Sequence, residues 1–477
     1  MNSQARLRLL LPIVPLLAWG CTSSTGPEDH TPDVSITAPL AGATFMRGDR
    51  VEVEVTASDP DGAVVAVRLY VDSRHVGVDS TSPYLFRWET HGEYIGRHVL
   101  RAVAADDDGY TSGRDVAVTI RWGDIAPEQL DDGWATARAS AEGIDVARLA
   151  DMVDEIYAGG YEFMHALLVV RHGNLVFEEY FNGFERDSLQ HVQSTTKSFT
   201  SAMIGIAIDR GEIGGVTDRM IDYLPEYAHL FDGGKEGMTI EHCLMMAAGL
   251  EWNEHSIPHS DPNNDNTVGN RSADYVAYIL GKPLVEEPGT VWYYNSGCSM
   301  TLGAILRNAT GWGADAYAAQ HLFDPLGIAP SSWLVMGGGH IGTHGGLFLR
   351  PRDMAKFGQL FLQDGFWDGE SVISEEWVRE STLPRLTVYA DLRYGYQWWF
   401  KRMDGYDVPF TAGTGGQHIF VVPELELVAV TAATPSVLEV SPDQGRRVMS
   451  LFEYRILPAV LPAATVGTGY ASATPVR

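Results

Sequence analysis

Residues 194–211 read Ser194-Thr195-Thr196-Lys197-Ser198-Phe199-Thr200-Ser201-Ala202-Met203-Ile204-Gly205-Ile206-Ala207-Ile208-Asp209-Arg210-Gly211. Phe199, Met203, Ile206 and Ala207 recur at helical spacing, and Arg210-Gly211 supplies a stop. A helix that begins at or just before Ser194 sets Ser194 and Lys197 on one face, with the hydroxyl near the helix's positive end. A serine hydroxyl is a poor nucleophile until a base removes its proton. Lysine serves as that base only when burial or a second cation lowers its pKa. The chain has five lysines, and only Lys197 has Ser three residues before it. By itself the pair is read equally as a surface serine and a surface lysine.

Two later stretches change that balance. In Pro288-Gly289-Thr290-Val291-Trp292-Tyr293-Tyr294-Asn295-Ser296-Gly297 the Pro-Gly forces a turn, after which an aromatic can project a phenol inward. A buried tyrosine beside a lysine could relay the serine's proton to a leaving group. Gly413-Thr414-Gly415-Gly416-Gln417 precedes the strand-like Ile419-Phe420-Val421-Val422. Glycines there let backbone N–H groups approach a bound carbonyl and stabilise its oxyanion. Taken singly, the two stretches read first as an aromatic core turn and a glycine-rich strand start.

In this order the three stretches resemble the serine hydrolases of the β-lactamase and penicillin-binding-protein type, in the branch of class C β-lactamases, esterases and amino-oligomer hydrolases. Ala248-Gly249-Leu250, Pro325-Leu326-Gly327-Ile328, Gly346-Leu347-x-Leu349 with Pro351-Arg352-Asp353, and Tyr394-Gly395-Tyr396-Gln397-Trp398-Trp399 add to the likeness. The resemblance implies a two-lobed α/β (α+β) fold with an antiparallel sheet and a helical lobe, an acyl-enzyme mechanism, and neither metal nor cofactor. It implies Ser194 as nucleophile, Lys197 as the group that helps deprotonate it, and Tyr294 as general acid/base. Tyr293 with Asn295 also spells the family's Tyr-x-Asn, but the spacing from Pro288-Gly289 favours Tyr294. On that alignment Ser296 stands where the family's second Asn is usual, as a substrate contact. The backbone N–H groups of Ser194 and Thr414 would form the oxyanion hole, with Gly413 in place of Thr414 if the alignment slips by one residue. Gly413, Gly415 and Gly416 would line the substrate. Loss of one such donor typically costs on the order of 10²–10³ in kcat.

Phe410-Thr411-Ala412 stands where β-lactamases and transpeptidases usually have Lys or His, then Thr, then Gly. The cation that holds a substrate carboxylate is therefore missing. Hydrolysis of a small-molecule ester or linear amide ranks above action as a β-lactamase or D,D-peptidase on cell-wall peptides. A non-catalytic surface binding protein is the third reading, and the presence of Ser194, Lys197 and Tyr294 together argues against it.

Upstream, Arg6 and Arg8 precede an apolar run, Leu9 to Ala18, too short to span a bilayer. Its end, Leu17-Ala18-Trp19-Gly20-Cys21, resembles the lipobox of bacterial lipoproteins, with Ala18 where Leu is commonest. That implies export and lipid attachment at Cys21 in the cell envelope (periplasm or outer membrane), with ordinary secretion as the alternative, and Thr22 after the Cys implies the outer rather than the inner membrane in a cell that has both. Acyl chains, at roughly 0.8 kcal/mol per buried CH₂, would anchor the protein.

Residues 22–31 read as a linker. From 32 to 122 short alternating runs appear: Val51-Glu52-Val53-Glu54-Val55, then 65–70, 99–103 and 116–120. Turn signals at Asp59-Pro60-Asp61-Gly62 and Asp106-Asp107-Asp108-Gly109 separate them. This predicts an all-β sandwich, and Pro83-Tyr84 through Trp88 to Gly96 resembles bacterial immunoglobulin-type modules, a candidate for cell-envelope contact. The acidic turns carry ligands of the kind Ca²⁺ takes, but read first as ordinary Asx turns. The hydrolase region is 125–462, followed by a frayed tail, 463–477. Within it a helix is expected over 144–157, and a hairpin from 166–170 through a turn at Arg171-His172-Gly173-Asn174 to 175–180. Strands are expected at 395–401, 419–422 and 427–430, and a last helix near 443–454. Terminal strands flanking central helices predict a sheet closed by the two ends of the domain.

With 62 Asp+Glu against 34 Lys+Arg the formal charge is −28, so the chain offers no basic patch for nucleic acid. His255, His259 and Asp261 are ligand types on a loop, weak as a metal site. His340 and His344 read as loop residues near the cleft, and nothing in the spacing supports a triad through His418. Cys243 and Cys298 read as core thiols, with a disulfide between them left open. One of Trp398 and Trp399 should face the core and the other a substrate pocket.

Overall fold

The computed structural model describes residues 30–435 and 444–460. The leader with Cys21, nearly all of the 22–31 linker and the 463–477 tail lie outside them. The chain separates into two units, one formed by residues up to Thr44 with Arg50–Glu89 and Arg97–Thr119, the other by Phe45–Asp49, Thr90–Gly96 and residues from Ile120 onward.

The first unit is all β. Asp33–Ala38, Arg50–Ser58 and Tyr84–Glu89 form one antiparallel sheet. The second sheet runs in the order Thr44–Met46, Thr111–Arg121, Gly96–Asp106, Val64–Val71, Arg74–Asp79. Strand Arg50–Ser58 alternates as its sequence demands: Val51, Val53 and Val55 are buried while Glu52 and Glu54 are exposed. Arg74–Asp79 was not expected as a strand; it lies at a sheet edge, where its charged residues can stay wet. The acidic turns are Asx turns: Asp59 Oδ1 accepts from Asp61 N, and Asp106 Oδ1 from Asp108 N and Tyr110 N. Among the described residues no group of three or more His, Cys, Asp or Glu is arranged to hold a metal ion.

In the second unit nine strands of the described residues form one sheet. Its order is Leu386–Tyr389, Leu392–Tyr394, Trp399–Met403, Tyr406–Gly413, Gln417–Val422, Leu427–Ala433, Met164–Arg171, Asn174–Tyr180, Ala135–Thr136. A late strand, Leu427–Ala433, pairs antiparallel with the early hairpin, so the two ends of the domain do close the sheet. The hairpin turns on His172-Gly173 alone, both with positive φ, the geometry that matches strand twist in a two-residue loop.

Helix Val146–Glu155 starts from Asp145, whose carboxylate accepts from Ala147 N and Arg148 N. Helix Pro351–Leu362 crosses the sheet, and a Cβ on Gly358 would lie 2.6 Å from Val428 and 2.7 Å from Ile419. Gln444–Leu451 and the wide turn to Ile456 match the expected last helix, whose first residue lies outside the described residues.

Two expectations are corrected. The run 395–401 is not one strand. The chain leaves the sheet after Tyr394 and returns at Trp399, because Gln397, at positive φ, turns to bond the end of helix Ile240–Leu244. Its N–H reaches Leu244 O, and its side-chain amide reaches Cys243 O and Leu244 O. Conversely, Tyr406–Gly413 is a central strand that Pro409 masked, proline being scarce in such positions. Among the described residues no helix is long and apolar enough to cross a membrane.

Candidate active site

Ser194 lies in a single 3₁₀ turn, Gln193–Thr195, and the α-helix proper begins at Thr196 and runs to Asp209. The helix therefore starts two residues later than expected. It is also buried on every side from Thr196 to Ala207, not on one face, as a helix at the centre of a domain must be. The turn is strained, with Gln193 at φ +52°. It is held by Gln193 Nε2 on His191 Nδ1 (2.7 Å), by Thr196 Oγ1 donating to Gln193 O (2.6 Å), and by Val192 N donating to Leu347 O (3.0 Å).

The turn leaves Ser194 half-buried and places Lys197 beneath it. Lys197 Nζ lies 3.0 Å from Ser194 Oγ and also donates to His344 O. Burial lowers the Lys197 pKa to about 8, against an upward pull from Glu254 and Cys298. A lysine whose pKa is drawn down toward neutral pH, at hydrogen-bond distance from a serine hydroxyl, is what nucleophile activation requires.

Tyr294 sits on the other side of Lys197, whose Nζ is 5.0 Å from the phenol ring centroid. Tyr293 is 40% exposed, so of the two tyrosines it is Tyr294 that faces Lys197. Tyr294 is braced by Trp399 (centroids 6.0 Å, 25°) and Trp292 (6.4 Å). Trp398 is fully buried against Phe357 and Phe361, so one member of the tryptophan pair faces the core, as expected. Desolvation and then Glu254 push the Tyr294 pKa up, and a hydrogen bond with Ser194 draws it back. Tyr294 thus stays a protonated phenol, a donor. Asn295 caps helix Ser296–Thr310 through Cys298 N. Ser296, expected as a substrate contact, is buried as the first residue of that helix. Its N–H (2.8 Å) and hydroxyl (2.6 Å) both go to Glu254.

The glycine stretch is a hairpin loop, Thr414-Gly415-Gly416, between strands Tyr406–Gly413 and Gln417–Val422. Gly413 abuts the nucleophile turn: a Cβ there would lie 2.4 Å from Val192 O and 3.1 Å from Gln193 Cβ. Gly415 and Gly416 have another reason to be glycine. Both have positive φ, and a Cβ would meet Thr434 O at 2.1 Å in the first and Val448 at 2.8 Å in the second. Phe410 and Thr411 are buried, Thr411 with its hydroxyl on Thr195.

Glu254 escaped the sequence reading. It stands in an irregular segment whose shape comes from side-chain bonds such as Asn264 Nδ2 to Glu254 O and Ile257 O, and a loop carries no period. The available signal was an acidic residue two positions after a buried tryptophan, Trp252-x-Glu254. The same segment brings His255 to the site, with its ring 6.1 Å from that of Tyr294. It also brings His259, whose pKa burial lowers, Glu254 raises and Lys197 lowers. His344 is buried, with Nδ1 on Met300 Sδ, and its pKa is driven well down by burial and Lys197. His340 joins Asp274, Tyr227 and Arg307 in a separate polar cluster. His418 is a core histidine bonded to Thr411 O (3.0 Å), its pKa lowered by burial to about 4. Cys243 and Cys298 are buried free thiols.

A serine held against a buried lysine at the start of a central helix, beside a sheet that is antiparallel except at its Ala135–Thr136 edge, defines a serine hydrolase. The chain belongs to the Beta-lactamase family, whose model matches residues 161–450, and residues 32–114 match the Bacterial Ig domain model. The 6-aminohexanoate-dimer hydrolase of Paenarthrobacter ureafaciens is 25% identical over 287 residues, 56% of this chain and 71% of that protein. A Bacillus anthracis structure provisionally named a 6-aminohexanoate-dimer hydrolase superposes with TM-score 0.55 at 21% identity, covering 70% of this chain and 87% of the other. A family VIII carboxylesterase superposes with TM-score 0.50 at 18% identity, covering 65% and 97%. The chain is thus a hydrolase of the β-lactamase fold.

Proposed function

We propose that the protein hydrolyses small-molecule esters or linear amides through an acyl-enzyme on Ser194. The observation that carries this is the 3.0 Å contact between Ser194 Oγ and the buried Nζ of Lys197. Neutral Lys197 takes the serine proton as Oγ attacks the substrate carbonyl carbon. The negative oxygen that forms is received by the backbone N–H of Ser194 and by that of Thr414, or of Gly413, whose packing on Val192 and Gln193 supports a place at the hole. As the C–O or C–N bond breaks, Tyr294 gives its proton to the leaving group and is reprotonated by Lys197. Water then attacks the acyl-serine by the reverse relay, releasing the acid and regenerating Ser194.

The missing cation at Phe410-Thr411-Ala412 supports this reading over β-lactam or D-Ala-D-Ala hydrolysis. The test is intact-mass spectrometry of residues 22 onward with a fluorophosphonate and, separately, a penicillin, for wild type and Ser194→Ala. Fluorophosphonate labelling lost in the variant, with little penicillin adduct, is expected; a dominant penicillin adduct would make the cell-wall enzyme the better reading. Labelling by neither would favour the non-catalytic binding protein.

We also propose export with a lipid on Cys21, and cell-envelope contact through the sandwich. Palmitate incorporation that disappears in Cys21→Ser, and envelope association lost with undiminished turnover when residues 32–122 are deleted, are the expected results.

A further inference from the structure

Glu254 is only 3% exposed, yet its three donors are all neutral: Ser296 N (2.8 Å) and Trp252 Nε1 (2.9 Å) on Oε2, and Ser296 Oγ (2.6 Å) on Oε1. Burying a charge is costly unless it is well bonded, and a carboxylate held by neutral dipoles keeps its field in a low-dielectric site. Helix Ser296–Thr310 begins two residues after Tyr294, so both Ser296 bonds fix the backbone that carries the phenol. Among the described residues the neighbouring carboxylate, Asp265, accepts from Asn253 N and is paired with Lys282 Nζ (2.5 Å), and His255 lies on the same segment with its ring 6.1 Å from that of Tyr294. Tyr275 and Tyr294 are pushed up by burial, and Cys298 by a hydrogen bond with Cys243 and then by burial, so all three keep their protons, while burial pushes His259 and His344 down.

We propose that Glu254 is a positioning residue for acyl transfer at Ser194: it clamps the start of the 296–310 helix, and with it Tyr294, against Lys197, and its charge holds the relayed proton on Lys197 and on the phenol. A base weakens as its pKa falls, so a lysine desolvated with no carboxylate nearby takes up the serine's proton less readily once it is neutral. The inference rests on the reading of Ser194, Lys197 and Tyr294 proposed above.

The test measures the rate of fluorophosphonate labelling of Ser194 against pH in the full exported chain, with ester turnover in parallel. Glu254→Gln keeps the size and removes the charge. The inflection at which labelling rises with pH should move down by roughly one unit. kcat for an ester with a poor leaving group should fall at least about tenfold, with KM little changed. Glu254→Asp keeps the charge but withdraws it by one methylene, and should shift the inflection the same way by less. An inflection that stays at the wild-type pH, in Gln or in Asp if only Asp folds, overturns the proposal even where the rate falls, because loss of packing alone lowers rates without moving a titration. Wild type that is not labelled at any pH overturns the functional reading, and this inference with it.

Discussion

The hydroxyls of Thr195 and Thr411 lie 3.0 Å apart, joining the residue after Ser194 to the strand that ends in the glycine hairpin. Thr195 Oγ1 donates its one proton to Gln417 O (2.9 Å), so Thr411 must donate to Thr195 while accepting from Ile419 N (3.0 Å). Both strands of the hairpin are thereby tied to the nucleophile turn through one buried chain of bonds. Thr411→Val removes the middle link and leaves Ile419 N and Thr195 short of a partner, which costs about 1–3 kcal/mol. A thermal melt should show that loss, and kcat should drop more than KM rises, since the proposed oxyanion donors move relative to Ser194.

The rate should rise with pH. In the proposed role Lys197 takes a proton only when neutral, and its pKa is lowered to about 8, so kcat/KM for an ester should climb through that pH and level above it. Tyr294 is displaced upward and remains a donor throughout, so no loss from its ionisation is expected below pH 10. A flat profile between pH 6 and 9 would remove Lys197 from the role of base.

Lys197 is a cost to the fold. Its folded-state pKa lies below the ordinary 10.5, so below pH 8 it is protonated in both folded and unfolded chains and the folded state carries the whole burial penalty. That penalty shrinks as the pH rises from 8 toward 10.5. It is on the order of 3 kcal/mol. Lys197→Met should therefore raise Tm at pH 7 while lowering kcat/KM by about 10²–10⁴. Calorimetry at pH 7 and pH 10 checks the sign, because the gain should be smaller at the higher pH.

Replacing Tyr294 with Phe removes the donor but keeps the ring between Trp292 and Trp399. A p-nitrophenolate departs without a proton, whereas an alkoxide or amine does not. The variant should lose little on p-nitrophenyl esters and about 10²-fold or more on alkyl esters and amides. Equal losses on both would assign Tyr294 to the attack step.

Gly413→Ala tests the seam itself. The added methyl would lie 2.4 Å from Val192 O, so the strand or the strained Gln193 turn must shift. Stability should fall by about 1–3 kcal/mol, and fluorophosphonate labelling should slow even where the protein stays folded. An unchanged labelling rate would separate Gly413 from the oxyanion site.

What the amino-acid order determined by itself was local. Alternation at Val51-Val53-Val55 and paired turn residues at His172-Gly173 depend on period and on φ, which neighbouring residues set. The three-residue step from Ser194 to Lys197 survived a helix start misplaced by two residues, since a 3₁₀ turn and an α turn both keep that step on one side. The family motifs could be recognised because they are short. The tertiary structure alone decided the state of those residues. Tyr294 faces Lys197 and Tyr293 faces water because of the packing of Trp292 and Trp399. Ser296 serves Glu254, across 42 residues, and Gly415 and Gly416 are required by Thr434 and Val448. Lys197 has its lowered pKa through burial beneath elements more than 100 residues away, His344 O among them. Desolvation and long-range hydrogen bonds are properties of the packed interior, and no window of sequence contains them.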